Sequence, residues 1–87
     1  MTDLELFARL IQCEAGGEGD TGMRAVATVV MNRVNALEGE YGRYPTLRDV
    51  IFAPYQFDCA MTSIGGQSNP QNLYNMNPTG QHYEIAE

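Results

Sequence analysis

The chain has 87 residues, enough for one modest hydrophobic core and too few for two. Eleven acidic residues stand against five arginines and no lysine, and the resulting charge of −6 excludes the basic face that a nucleic-acid partner or an anionic membrane surface requires. The apolar fraction of 44% suits a globular chain, no run approaches the roughly 18 apolar residues of a membrane span, and the opening MTDLELF lacks the basic and apolar regions of a signal peptide.

Thr2 and Glu5 form a T-x-x-E capping box ahead of Leu4, Leu6, Phe7, Leu10 and Ile11, which predicts a helix over residues 3–14. Gly16, Gly17 and Gly19 then stop it, and residues 16–21 read as a short exposed loop in which Asp20 or Thr21 caps the next helix. Residues 22–36 carry Met23, Val26, Ala27, Val30 and Val34 on one helical face, with Ala25, Val29 and Met31 widening it. The valines and Thr28 would also suit a strand, but the 3.6-residue period and flanking caps favour a helix, apolar nearly all round and therefore central and largely buried. Residues 37–45, with glycines, tyrosines and a proline, read as a loop.

Thr46, with Asp49 three residues on, caps a short helix whose Leu47, Val50, Ile51 and Phe52 face the core, and Pro54 ends it. Residues 55–60, YQFDCA, alternate aromatic and polar side chains and predict a short extended piece lining a cleft, with any β structure small and near residues 55–64. Residues 65–79 are rich in Gly, Asn, Gln, Pro and Ser and predict an irregular loop. Thr79 can cap a helix from Gln81, which the chain cuts within two turns, so a partial domain with a frayed end is expected.

Cys13 and Cys59 lack the C-x-x-C spacing of a zinc knuckle or thioredoxin-like site. A nucleophilic Cys13 would want a histidine partner, and His82 is the only histidine, so two buried structural cysteines are expected. His82 itself reads as a surface residue of the terminal helix without a metal or catalytic partner. The acidic candidates are Glu14, Glu18, Asp20 and Asp58, with Asn32, Tyr55, Gln56 and Ser63 as polar and aromatic company. Glu14 stands out. It falls on the last turn of a helix, where the negative end of the macrodipole, together with cover from a following helix, favours the protonated carboxyl. A carboxyl so tuned is a general acid. A glycosidase ordinarily pairs two carboxylates, so a lone Glu is weak evidence taken alone.

The run ARLIQCEAGGEGDTGMRAVATVVMNRV, residues 8–34, resembles the spore cortex-lytic family of cell wall hydrolases, whose signature is Glu-Ala-(Arg)-Gly-Glu, then Gly, Ala-Val-Ala and Val-x-x-Asn-Arg-Val. A second block, TLRDVIFAPYQFDCA at residues 46–60, is similar to the family's short helix followed by Pro-x-Gln-Phe. The resemblance implies that residues 1–87 form the N-terminal part of a catalytic domain, mainly α (α+β), on a lysozyme-like transglycosylase scaffold that continues past this chain. It further implies cleavage of peptidoglycan between N-acetylmuramic acid and N-acetylglucosamine, in the cell wall or spore cortex, by a monomer needing neither metal nor organic cofactor. The family's catalytic Glu falls on Glu14. In lytic transglycosylation one Glu serves twice, which removes the need for a second carboxylate. Glu18, Asn32, Tyr55 and Gln56 are the expected substrate-binding residues, and Arg33 an ion-pair partner. Gly16 stands where the family usually has Arg, so any contact made by that Arg is absent. A catalytically silent peptidoglycan-binding module and a small structural or interaction domain remain open alternatives.

Overall fold

The computed structural model describes residues 1–36, 45–54 and 56–87. The loop expected at residues 37–45 therefore falls, but for Pro45, outside the described residues, as does Tyr55. Among the described residues four helices carry the structure: α1 (Asp3–Ala15), α2 (Gly19–Val34), α3 (Leu47–Ile51) and α4 (Gly80–Ala86). Between α3 and α4 run a 3₁₀ turn at Asp58–Ala60, a two-stranded antiparallel hairpin of β1 (Ser63–Ile64) and β2 (Gln67–Ser68), and a second 3₁₀ turn at Leu73–Asn75. This is a mainly helical architecture with a small β element, as expected from the sequence.

Helix α1 begins where its cap dictates. The Thr2 hydroxyl accepts the Glu5 backbone N–H at 3.1 Å, while the Glu5 carboxylate turns away to Arg9, one helical turn on, at 3.4 Å. Its apolar residues Leu6, Phe7, Leu10 and Ile11 are buried, and Ala8, Cys13 and Ala15 are buried beside them. All three other helices and both 3₁₀ turns pack on it. The centre of the molecule is therefore α1, which corrects the expectation that the second helix is central.

Helix α2 buries only Met23, Ala27 and Val30, with Val26 and Val34 partly covered. That is a single stripe at i, i+4 and i+7, and Ala25, Val29 and Met31 face outward. Apolar composition made the helix look surrounded, yet only one side of it meets neighbours. It also starts earlier than predicted, at Gly19, leaving a connection of Gly16, Gly17 and Glu18. Asp20 consequently lies in its first turn, where it suits the helix dipole and accepts from Arg24 at 2.7 Å instead of capping.

The capping box of α3 forms as read from the sequence: Thr46 Oγ1 accepts the Asp49 N–H at 3.1 Å, and an Asp49 carboxylate oxygen accepts the Thr46 N–H at 2.9 Å. Arg48 then ties α3 to the chain start, donating to Asp3 at 2.9 Å and to the Met1 carbonyl at 2.7 Å. The predicted extended piece after Pro54 is instead the 3₁₀ turn; the small β structure expected near residues 55–64 is found with β1 at its end, while β2 falls in the predicted irregular loop. Gly65 and Gly66, with φ of 60° and 81°, make the two-residue turn whose twist matches antiparallel strands, a conformation that side-chain-bearing residues rarely adopt.

Three ties fasten this loop-rich half to α1. Arg9 Nη1 donates to the carbonyls of Leu73 and Tyr74 at 3.2 and 3.1 Å. The Gln12 amide pairs with the Asn77 backbone in both directions, at 3.3 and 3.0 Å. Cys13 and Cys59 are joined in a disulfide. Both half-cystines are buried, so the structural reading of the cysteines holds, and the pairing adds a crosslink. Closing a loop across 46 residues stabilises the fold by about 4 kcal/mol in the chain-entropy account. His82 is corrected as well: it is buried, and its Nδ1 accepts the Thr79 backbone N–H at 2.9 Å, because the third residue of α4 reaches back over its own cap where the helix packs on α1.

Leu10→Ala, which empties a fully buried position on α1, is expected to cost about 2–5 kcal/mol in urea unfolding, whereas Val29→Ala on the exposed side of α2 changes stability by less than about 0.5 kcal/mol.

Candidate active site

The site assembles where α1 ends. Helix geometry and the apolar stripe of α1 aim Cys13 inward and set Glu14 at the rim of the buried surface, where its side chain is half-covered. The disulfide brings the 3₁₀ turn Asp58–Ala60 against that rim, with the Cα atoms of Cys13 and Cys59 6.1 Å apart. The two half-cystines adjoin the two acids directly, in Cys13-Glu14 and in Asp58-Cys59.

Three effects act on the Glu14 carboxyl. Burial is the largest and raises its pKa above the ordinary glutamate range, the Cys59 backbone N–H donates toward it and opposes that rise, and the negative charge of Asp58 reinforces it. Glu14 Oε1 is buried without a hydrogen-bond partner among the described residues. A carboxylate oxygen sealed from water and unpartnered favours carrying a proton, and that proton is then available to a group entering the site.

The turn under Glu14 is held from below. Asn69 Nδ2 donates to the carbonyls of Asp58 at 3.1 Å, Met61 at 2.9 Å and Gln71 at 3.3 Å, so one amide gathers the turn, the hairpin entrance and the following loop. Gln71 Nε2 in turn donates to the Cys13 carbonyl at 3.4 Å, satisfying one acceptor at the open end of α1. The Gln71 carbonyl also touches Cys13 Sγ at 3.4 Å, a van der Waals contact because a cystine sulfur has no proton to give.

The structure brings together only some of the residues expected at the site. Gln56 is exposed, two residues before Asp58, and Phe57 anchors that strip in the core beneath the Arg33 guanidinium, 6.0 Å from the ring centroid. Glu18 is exposed at the N-cap of α2 and folds over Gly22, where an added Cβ would fall 2.7 Å from Glu18 Cβ. Asn32 lies elsewhere: it lines a groove with Leu4, Phe7, Thr28 and Met31 at the opposite end of α1, and Glu14 takes no part in that groove. Along α1 alone, Phe7 and Glu14 are roughly 10 Å apart. Ser63 and Tyr74 are exposed on the hairpin and second 3₁₀ turn.

Sequence reasoning passed over Asp58 and the Cys59 backbone as neighbours of Glu14. The available signal was that each cysteine stands beside an acid, so pairing the cysteines pairs the acids. Among the described residues no group of three or more His, Cys, Asp or Glu could hold a metal ion, and no helix is long and apolar enough to cross a membrane.

The site so described is a helix-borne carboxyl at a covered rim, its pKa raised by burial and by a neighbouring acid. The family model described as Cell Wall Hydrolase matches residues 17–87, most of the chain, and the chain belongs to that family. Two curated relatives are similar to it: the cell wall hydrolase CwlJ of Bacillus subtilis (strain 168), 39% identical over 56 residues, and that of Halalkalibacterium halodurans, 38% identical over 50 residues. The aligned parts cover 64% and 58% of this chain but 39% and 35% of those proteins, so the chain matches well under half of either relative's length. No solved structure matches it.

The raised pKa has a consequence for folding. A carboxyl whose folded pKa exceeds its unfolded value contributes stability below the unfolded pKa and loses it as pH rises through the folded one. Glu14→Gln is therefore expected to raise the unfolding free energy at neutral pH, with the gain vanishing as the pH falls below the ordinary glutamate value of 4.5, measured by denaturant unfolding across pH.

Proposed function

We propose that this chain carries the acid-catalytic half of a peptidoglycan-cleaving site, with Glu14 as its catalytic residue, acting in the cell wall or spore cortex. The observation that carries the reading is the Glu14 carboxyl itself: half-covered, one oxygen sealed without a partner among the described residues, its pKa raised chiefly by burial. Family membership supports the substrate class.

In this reading protonated Glu14 donates to the oxygen linking N-acetylmuramic acid to N-acetylglucosamine, and the C1–O bond breaks with oxocarbenium character. The carboxylate left behind then accepts the proton of the muramyl C6 hydroxyl as that oxygen attacks C1. The product is a 1,6-anhydromuramyl end, and Glu14 is reprotonated without a second carboxylate. Were water to attack instead, the same Glu14 would act as its base and the product would be a reducing end. The scaffold in this proposal is lysozyme-like. Gln56, exposed on the strip leading to Asp58, offers an amide to sugar hydroxyls; Tyr55, outside the described residues, is the stacking residue of this proposal; and Glu18, exposed at the N-cap of α2, is its further polar contact. Asn32 is assigned to loop and groove structure at the far end of α1 instead of to the reacting bond.

One observation favours a second reading, a silent glycan-binding module. The matched segment opens at residue 17, three residues past Glu14, so that match does not itself bear on the acid.

Digestion of purified cortex and vegetative peptidoglycan by the protein and by its Glu14→Gln variant, with products resolved by mass spectrometry, separates these readings. Glu14→Gln is expected to lower the cleavage rate by about 10²- to 10⁴-fold while leaving glycan binding intact. Anhydromuropeptides identify transglycosylation and reducing ends identify hydrolysis, whereas binding without turnover by the unaltered protein supports the silent module.

A further inference from the structure

Among the described residues, the Asp58–Ala60 turn has few ties to the helix it covers. Apart from the Cys59 N–H that donates toward Glu14, its backbone bonds are local, Ala60 N–H to the Phe57 carbonyl at 3.1 Å and Met61 N–H to the Asp58 carbonyl at 3.0 Å, or run to Asn69. The hairpin that Asn69 joins to it is exposed along both strands. Besides the packing of Phe57, Cys59 and Ala60 on the core, what fastens this unit to the end of α1 is the cystine, helped by the long 3.4 Å hydrogen bond from Gln71 to the Cys13 carbonyl. The same turn supplies the groups that act on Glu14: its cover, the Cys59 N–H and the Asp58 charge.

We infer that the Cys13–Cys59 disulfide is a positioning element for Glu14, and that thiol–disulfide exchange at this bond sets the competence of the site. The inference rests on the reading of Glu14 as the catalytic acid. A dithiol supplies two electrons and two protons: the S–S bond breaks, Cys13 and Cys59 become thiols, and the dithiol closes to a cyclic disulfide. With the bond open, the turn and its hairpin are free to leave α1. Water then reaches the Glu14 carboxyl, the effect of burial is lost, and the proton is released at lower pH. Asp58 leaves with the turn, and its departure acts in the same direction. Because both half-cystines are buried, the reductant enters through local opening of this unit.

The test is reduction of the whole chain by dithiothreitol, with folding followed by far-UV circular dichroism and the Glu14 carboxyl followed by carbon-13 NMR titration. Reduced protein that stays folded is expected to cleave peptidoglycan at least tenfold more slowly, to regain its rate on reoxidation, and to show a Glu14 midpoint shifted down toward the ordinary glutamate range. Cys13→Ala/Cys59→Val, which fills the cystine's space with apolar groups, is expected to match the reduced protein and to ignore dithiothreitol. An unchanged Glu14 midpoint in folded, reduced protein overturns the inference, and so does loss of fold in both the reduced chain and the double variant, since the bond would then be a structural staple alone. Full activity in Glu14→Gln would instead remove the catalytic reading, while the titration still reports whether the disulfide positions the carboxyl.

Discussion

The bond between Cys13 and Cys59 joins the last turn of the innermost helix to a turn 46 residues later, and the arrangement of the loop-rich half follows from it. A chain of this size buries limited apolar surface, and among the described residues its loops between α3 and α4 contribute only Cys59 and Leu73 to the buried apolar residues. A covalent link reduces the freedom of the unfolded chain, and here it also determines which backbone faces the end of α1. The hydrogen bonds of Arg9 and Gln12 to the same loops, and of Gln71 back to the Cys13 carbonyl, act along α1 and align with it.

Helix α1 unites stability and chemistry. One of its faces is the core, its polar residues reach across to the loops, and its C-terminal end holds Glu14. That end carries partial negative charge, is half-covered and faces another acid, and each condition disfavours an ionised carboxylate. The fold thereby holds a carboxyl of raised proton affinity at the end of its central helix. Family membership and the geometry of Glu14 are separate lines of support, since the family match starts beyond Glu14 and the carboxyl's surroundings come from the tertiary structure alone.

The groove at the opposite end of α1 shows how helical patterning and site membership part company. Asn32 shares a motif with residues near Glu14 in sequence order, yet the sixteen residues of α2 carry it to the far end of the core. Glu18 and Gln56 remain on the Glu14 side in chain terms, each within a few residues of Glu14 or Asp58. A motif read along one helix marks a family, whereas a site is marked by what the returning chain places opposite.

Much of the local structure was legible in the residues. Thr2, Thr46 and Thr79 each precede a helix, the glycines after Ala15 end one, and the apolar spacing of Leu6, Leu10 and Ile11 defines a buried face, because caps and periodicity are properties of a few neighbouring residues. Glu14 at a helix end was legible for the same reason. The burial of α2 on one side only, the covered His82 and the pairing of the cysteines were decided by tertiary structure. Each depends on which distant segment arrives at a surface, and a side chain's exposure, partner and proton affinity are set by that arrival. Sequence alone determined a mainly helical chain with an acid at the end of its first helix; the crosslinked turn that covers this acid, and with it the direction of its pKa, came from the fold.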